Sequence, residues 1–465
     1  MPPLNRLAEL VFFIALALAY VLAGRYAFQS VGPSGDETYY LMVADALQRG
    51  EAFALDVRWS ELEGADYSPR VTISRAEFER STSPSRVSLG RYPLHDVGLS
   101  LLLVIPYASG GRELAVALIG IAMAAAVVLS RRTAIAAGAT SSEATAAAAG
   151  IGLAAPALTY SGQVFPDALA PLAVAIALCA LCGRLPRRLI GLGIAALPFL
   201  HLRFWPLTLG LLAAQAGAGG SRGRHLLAVA LPAVLVMLAL TALNLAVYGV
   251  ALPNAGFYLH FSDGGERVTS YLRPDGAGLP GLFIDRAHGL LPAAPIAVLC
   301  FVGAGVAARS PIGRAILGTA VPYVVSCAFL DWTGALSPHA RCLAPLIPVL
   351  VVFLALALRY RPARLGAVAL ALWTACQSAI YVQRPELRYP PAGNAYGAPP
   401  LADQMWTEFA GFVPGAVFPL LGSGDASTPL LAAGWLTLLV ALVALGARGL
   451  RQPRPNTRAA AIRSA

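Results

Sequence analysis

Runs of apolar residues follow one another from end to end of this chain, separated by short polar breaks. A run of about twenty apolar residues is long enough to cross the hydrocarbon core of a bilayer as a helix. The pattern predicts about twelve spans, at 7–28, 114–130, 143–161, 167–183, 188–202, 206–220, 226–248, 290–308, 313–330, 343–358, 365–381 and 429–447. Three long polar segments, 29–113, 249–289 and 382–428, lie between them, and a basic tail covers 448–465. The first run ends in small residues, as a cleaved leader does, but it is read as the first span because later spans need an orientation to follow. Residues 98–108, "GLSLLLVIPYA", are too short to cross and are expected to lie in the interface or dip partway into the membrane. Segment 29–113 is expected to form short helices and loops on the membrane surface, a cap on the bundle rather than a separate domain. The spans 188–202 and 206–220 are short and meet at "PFLHLRFWP". Interrupted helices of this kind line cavities, since their freed backbone groups need water or protein partners.

Charge fixes the orientation. Lysine is absent, and arginines crowd every second break: Arg131/Arg132, Arg184/Arg187/Arg188, Arg222/Arg224, Arg309/Arg314, Arg359/Arg361/Arg364 and the tail from Arg448. The positive-inside rule places those breaks, and both termini, in the cytoplasm. Residues not used to build the map agree with it. Of the 24 acidic residues only Glu9 and Glu143 fall inside, and of six histidines only His225 does. The expected location is therefore the cytoplasmic (inner) membrane, with any active site on the outer side.

Composition narrows the class. The chain is 57% hydrophobic and 12% charged, against about 25% charged in soluble proteins, so a soluble enzyme with an anchor is excluded. The formal charge of +10 maps to inner breaks and gives no reason to invoke nucleic acid. Cysteines 179, 182, 300, 327, 342 and 376 sit in or beside apolar runs. Cys179 and Cys182 form a CxxC with no second ligand pair, which reads as structural rather than metal-binding.

The candidate chemistry begins at "PSGDETYYLMVADAL", residues 33–47. Pro33 and Gly35 end the first span and Asp36 opens a new helix. It can cap free N–H groups there. Helical spacing also sets it above Tyr40, Val43, Ala44 and Leu47 on one face, with Glu37 a step round. A partly desolvated carboxylate at the outer rim has a raised proton affinity and suits a general base for a hydroxyl. Asp167, in "FPDAL", is either a helix N-terminal signature or a second site acid.

The "GDETYYLMVADAL" stretch after a first span resembles the entry motif of GT-C membrane glycosyltransferases, which include protein O-mannosyltransferases and lipid A aminoarabinose transferases. "YPLHDVGLSLLLVIPYASGGRELAVALIGI", "PALTYSGQVFPDALAPLAVA", "YGVALPN", "GLFIDRAHGLLPAAPI" and "DWTGALSPHARCLAPLIPVL" are similar to segments that follow in the same order. The resemblance implies an all-α polytopic GT-C-like bundle with outer loops carrying short surface helices, spread over 1–381. It implies a polyprenyl-phosphate-linked sugar donor, an envelope lipid, glycan or protein as acceptor, and inversion at the sugar. Asp36 matches the catalytic base; Glu37 and Asp167 match acids that orient the acceptor or sugar. The lysine some members use for phosphate has no counterpart, and 382–428 matches nothing in the family.

Inverting transfer needs cations for the departing phosphate. Arginine suits this through its planar, permanently charged fork. The candidates at outer helix ends are Arg341 with His339, then Arg203 with His201, then Arg286 with His288; snorkelling to headgroups is the alternative for each. His95 and Tyr40 are supporting residues, and Tyr39, Trp332 and Trp406 are aromatics that either stack on sugar or belong to the interfacial belt. No cofactor is expected. A divalent metal would require Asp36, Glu37 and Asp167 to converge, with Asp96 or a histidine added. The competing readings are a ligase acting on a polyprenyl-linked glycan and a transporter or flippase. The latter requires polar groups continuing toward the inner face, which the sequence lacks.

Overall fold

The computed structural model describes residues 3–33, 35–51, 53–68, 73–217, 223–263, 276–330, 338–385, 417–419, 421 and 428–449. The expected aromatics Trp332 and Trp406, and nearly all of 382–428 and the tail, lie outside the described residues.

Helices dominate. The first, α1 (Pro3–Ser30), is followed by α2 (Glu37–Gln48), α3 (Asp56–Ser60) and α4 (Arg75–Arg80). The strands β1 (Thr82–Pro84) and β2 (Arg91–Pro93) then pair antiparallel, with Ser83 opposite Tyr92. There follow α5 (Gly98–Ala136), α6 (Ser141–Gly152), α7 (Ala155–Tyr160), α8 (Pro166–Leu181), α9 (Arg188–Leu200), α10 (Trp205–Gly217), α11 (Gly223–Tyr248) and α12 (Ala255–Asp263). The last group is α13 (Gly278–Ile284), α14 (Leu290–Ala293), α15 (Leu299–Ala307), α16 (Pro311–Phe329), α17 (Ile347–Ala357), α18 (Arg361–Gln383) and α19 (Thr428–Arg448). Short 3-10 turns at Leu202–Phe204, Pro295–Val298 and Arg341–Leu346 join neighbours.

Six described helices are long and apolar enough to cross a membrane, namely α1, α5, α11, α16, α18 and α19. Their outward faces carry exposed leucines and valines such as Leu22, Leu238, Leu365 and Val440, as lipid-facing surfaces do. The chain is an integral membrane protein. The other expected spans fall on shorter or broken helices, and proline explains the breaks. Pro156 opens α7 after α6 has ended, Pro295 and Pro345 lie in 3-10 turns, and Pro206 follows the extended His201. Proline cannot donate to the turn before it, and the Gly152 carbonyl released ahead of Pro156 accepts the Tyr20 hydroxyl at 2.6 Å instead.

Two expectations change. The segment 98–108 is not a separate interfacial piece: it leads into the second span through a break at Gly110 and Gly111. Gly111 has φ 58°, and a Cβ there would collide with the Asp66 carboxylate, so only glycine fits. Segment 29–113 holds a two-stranded hairpin, and its buried Phe53, Leu55, Tyr67 and Phe78 join the continuous apolar core of the bundle. Arg58, 2% exposed, ties the segment together with Asp45, Glu51 and Glu61 at 3.1, 2.8 and 2.9 Å. This cap covers α2 from outside, so nearly all of α2 is buried, not the one face that spacing suggested.

Candidate active site

Four side chains from sequence-distant elements meet beneath the cap. Asp36 occupies the first-cap position of α2, yet its side chain makes no capping bond. Its carboxylate accepts from Arg341 Nη2 at 2.9 Å, and its other oxygen lies 3.4 Å from His95 Nε2. Arg341 Nε reaches Asp167 Oδ2 at 3.4 Å, and Asp167 is ion-paired in turn with Arg203. Acid and guanidinium therefore alternate: Asp36, Arg341, Asp167, Arg203. Asp167 is fully buried, while the Asp36 side chain keeps 27% of its surface open. Only Asp36 of the two is placed to meet a substrate.

Local backbone explains how each group arrives. Asp167 is the second residue of α8, after Pro166 has started the helix, and it does not cap the helix. Arg341 begins its 3-10 turn directly after Ala340, whose φ of 58° is the one left-handed non-glycine among the described residues. That conformation is costly for a residue with a Cβ. It is held by the Ala340 N–H donating to the His288 carbonyl at 2.8 Å. The guanidinium is also stacked over Phe165 at 4.6 Å, and Arg203 lies over Phe204 at 5.3 Å.

The electrostatics reverse one expectation. Burial pushes the Asp36 pKa up, but His95 and Arg341 outweigh it and hold the carboxyl well below the usual carboxylate range. Its proton affinity is lowered, not raised. Asp96, beside it in the chain from His95, goes the other way. Burial raises it to about 6, although it accepts the Leu202 N–H at 2.6 Å. The His201 Nδ1 accepts from the Arg203 N–H at 3.2 Å, which leaves the proton of the neutral ring on Nε2. The rings of Tyr40, His95 and His201 form a row, with centroids 6.0 and 5.8 Å apart.

Glu37 takes no place in this group. It is fully buried, paired with Arg112 at 3.2 Å, and accepts the Val164 N–H at 3.1 Å. Arg112 was not foreseen. It follows the Gly110–Gly111 break and stacks on Phe28 at 4.7 Å; a charged residue in "SGGRELAV" between apolar runs was the available signal. Arg286, His288 and His339 gather in an adjoining cluster. His339 Nδ1 pairs with the Tyr381 hydroxyl at 2.7 Å, and its Nε2 lies 3.3 Å from the Arg286 carbonyl. Asp285 accepts the N–H groups of Ala287, His288 and Leu421, and burial raises it to about 6. Polarity also runs deeper than expected. Thr374, Gln377, Ser378 and Tyr381 share one buried face of α18, and Gln377 and Ser378 have no side-chain partner among the described residues.

A cavity of about 290 Å³ adjoins the group, lined by His95, Asp96, His201, Arg203, Asn244 and Asn254, with Leu240 and Leu330 on its apolar side. Gly98 permits this assembly. A Cβ there would collide with the Phe199 carbonyl, so glycine lets the His95–Asp96 segment lie against His201. Among the described residues no three His, Cys, Asp or Glu side chains are placed to hold a metal ion.

These features define a class: a multi-helix membrane protein with a capped carboxylate–guanidinium centre at one end of its bundle. Among solved structures the chain is similar to the crystal structure of ArnT from Cupriavidus metallidurans bound to undecaprenyl phosphate, with 16% identity over 95% of this chain and 77% of that chain, TM-score 0.44. It is likewise similar to ArnT from Cupriavidus metallidurans in the apo state, with 16% identity over 95% and 78% and a TM-score of 0.48. No protein-family model matches the chain, and no curated protein does.

Proposed function

We propose that the protein is a membrane glycosyltransferase of the GT-C type, moving a sugar from a polyprenyl-phosphate donor to an outer-face hydroxyl or amine with inversion. The reading takes all twelve apolar segments as crossings. The observation that carries it is the chain Asp36–Arg341–Asp167–Arg203 beside a cavity with one polar and one apolar wall. The motif resemblance in "GDETYYLMVADAL" supports it independently.

In this reading the sugar occupies the cavity, and the polyprenyl chain leaves past Leu240 and Leu330 toward lipid. The donor phosphate engages Arg341 and Arg203. Doing so draws Arg341 from Asp36, and a carboxylate that loses its cation regains proton affinity. The base is therefore weak at rest and strengthened by the donor. Asp36 then takes the acceptor proton, and the acceptor atom bonds to the anomeric carbon. The bond from that carbon to the phosphate oxygen breaks, and its electron pair leaves on the polyprenyl phosphate. Arginines aimed at the departing charge lower the barrier more than they stabilise the bound donor. Asp167 keeps both guanidiniums in place, and Glu37 with Arg112 locks α2 to α5.

The reading needs no resident metal, because the carboxylates at the site are engaged by guanidiniums. The purified protein, incubated with polyprenyl-phosphate sugars, tests it: wild type releases free polyprenyl phosphate with an acceptor extract present. If no donor of this class is consumed and none binds, the proposal is wrong.

A further inference from the structure

A second basic site lies at the far end of the molecule. Helix α1 has 28 residues, so its ends are about 40 Å apart. The Asp36 centre follows one end; Arg6 stands near the other. There α1, α5 and the turn after α8 enclose a groove of about 760 Å³. Arg6, Arg132 and Arg184 line it with one acid, Glu9. Glu9 is 7% exposed and is satisfied by Arg132, whose Nε and Nη2 both lie 2.8 Å from its oxygens, with Arg131 at 3.6 Å. Arg6 and Arg184 are exposed, and among the described residues neither has an ion-pair partner. The groove therefore holds surplus positive charge. Its remaining wall is apolar, with Leu10, Phe13 and Leu129 leading along α1 and α5 into the membrane-length part of the bundle.

A soluble anion would use the arginines and leave that wall wet. A zwitterionic lipid would use the wall and add no net charge to meet the arginines. An anionic diacyl phospholipid uses both, as basic pockets between membrane helices do. We propose that this groove binds one such lipid, its phosphate among Arg6, Arg132 and Arg184 and its acyl chains along Leu10, Phe13 and Leu129. The proposal stands apart from the reading of the outer site, since it uses none of its residues.

Native mass spectrometry of the full-length protein in detergent tests it, with equimolar dioleoylphosphatidylglycerol and dioleoylphosphatidylcholine. The expected result is one tightly retained phosphatidylglycerol, preferred about fivefold per unpaired arginine. Arg6→Gln with Arg184→Gln reduces the preference to near unity, whereas Arg187→Gln with Arg188→Gln, off the groove, keeps it. Equal retention of the two lipids by wild type overturns the proposal without any variant. So does displacement of the lipid by millimolar glycerol phosphate, which marks a soluble-anion site.

Discussion

At the scale of single residues, the charge on Asp36 is governed by His95 and Arg341. Because the resting carboxyl is held well below the usual range by His95 and Arg341 against the opposing effect of burial, Asp36 stays ionised in the free protein down to pH values below an ordinary aspartate's. The acid limb of kcat/KM, which reports the free enzyme, should then carry no step from Asp36 near neutrality. In the donor complex Arg341 is shared with phosphate, so the acid limb of kcat should lie at higher pH. A step near pH 6 in kcat/KM has two sources, Asp96 and Asp285, each raised to about 6 by burial; the part owed to Asp96 should vanish in Asp96→Asn and the rest in Asp285→Asn. Ala340 offers a separate check on positioning. Ala340→Gly relieves a left-handed conformation costing roughly 1–2 kcal/mol and should keep activity, while Ala340→Val should misplace Arg341 and weaken donor binding tenfold or more. Titration of donor affinity in both variants decides this.

These residue roles were unevenly legible in the sequence. Motif and chemistry single out Asp36, Asp167, Arg203 and Arg341, and the structure brings them together. The direction of the Asp36 shift is not legible in the sequence, because it depends on His95 and on Arg341, 305 positions away, both brought to it by the fold. Glu37 and Asp36 are adjacent in sequence but point into different surroundings, which only the packing of α2 between the cap and α5 reveals.

At the scale of elements, the buried pair of Glu37 and Arg112 sets α2 against α5. Both side chains are at most 5% exposed, and removing one partner of such a pair strands the other charge. Arg112→Met alone should therefore cost about 3–5 kcal/mol of stability. Joint replacement of Glu37 and Arg112 by apolar residues should recover most of that loss; thermal unfolding in detergent measures both. Apolar length located six spans that the structure shows as membrane-length helices, α1, α5, α11, α16, α18 and α19, while the other six expected spans fall on shorter helices. It could not locate the hairpin of β1 and β2 or the break in α5. The strands are three residues each, too short for an alternating pattern, and the break depends on Gly111 meeting Asp66 from the cap.

At the scale of the whole molecule, the two ends of the bundle carry opposite equipment. One end holds the Asp36 centre, with His95 and His201, and the cap; the other holds arginine-rich turns and the groove at Arg6 and Arg184. The proposed function requires the second end to face the cytoplasm, as the positive-inside pattern predicts. Cysteines introduced at Ser88, in the hairpin turn, and at Arg187, in the turn after α8, should therefore react with an impermeant maleimide on opposite sides of sealed vesicles. Labelling of both from one side contradicts the orientation on which the outer-face chemistry depends.

The most direct test joins donor binding to turnover in one variant. Asp36→Asn keeps shape and removes the base, so it should bind polyprenyl-phosphate sugar at least as tightly as wild type, because Arg341 no longer has a carboxylate to leave. Its turnover should fall by about 10²–10⁴, the usual worth of a positioned base. A folded Asp36→Asn protein that transfers sugar at the wild-type rate would contradict the account.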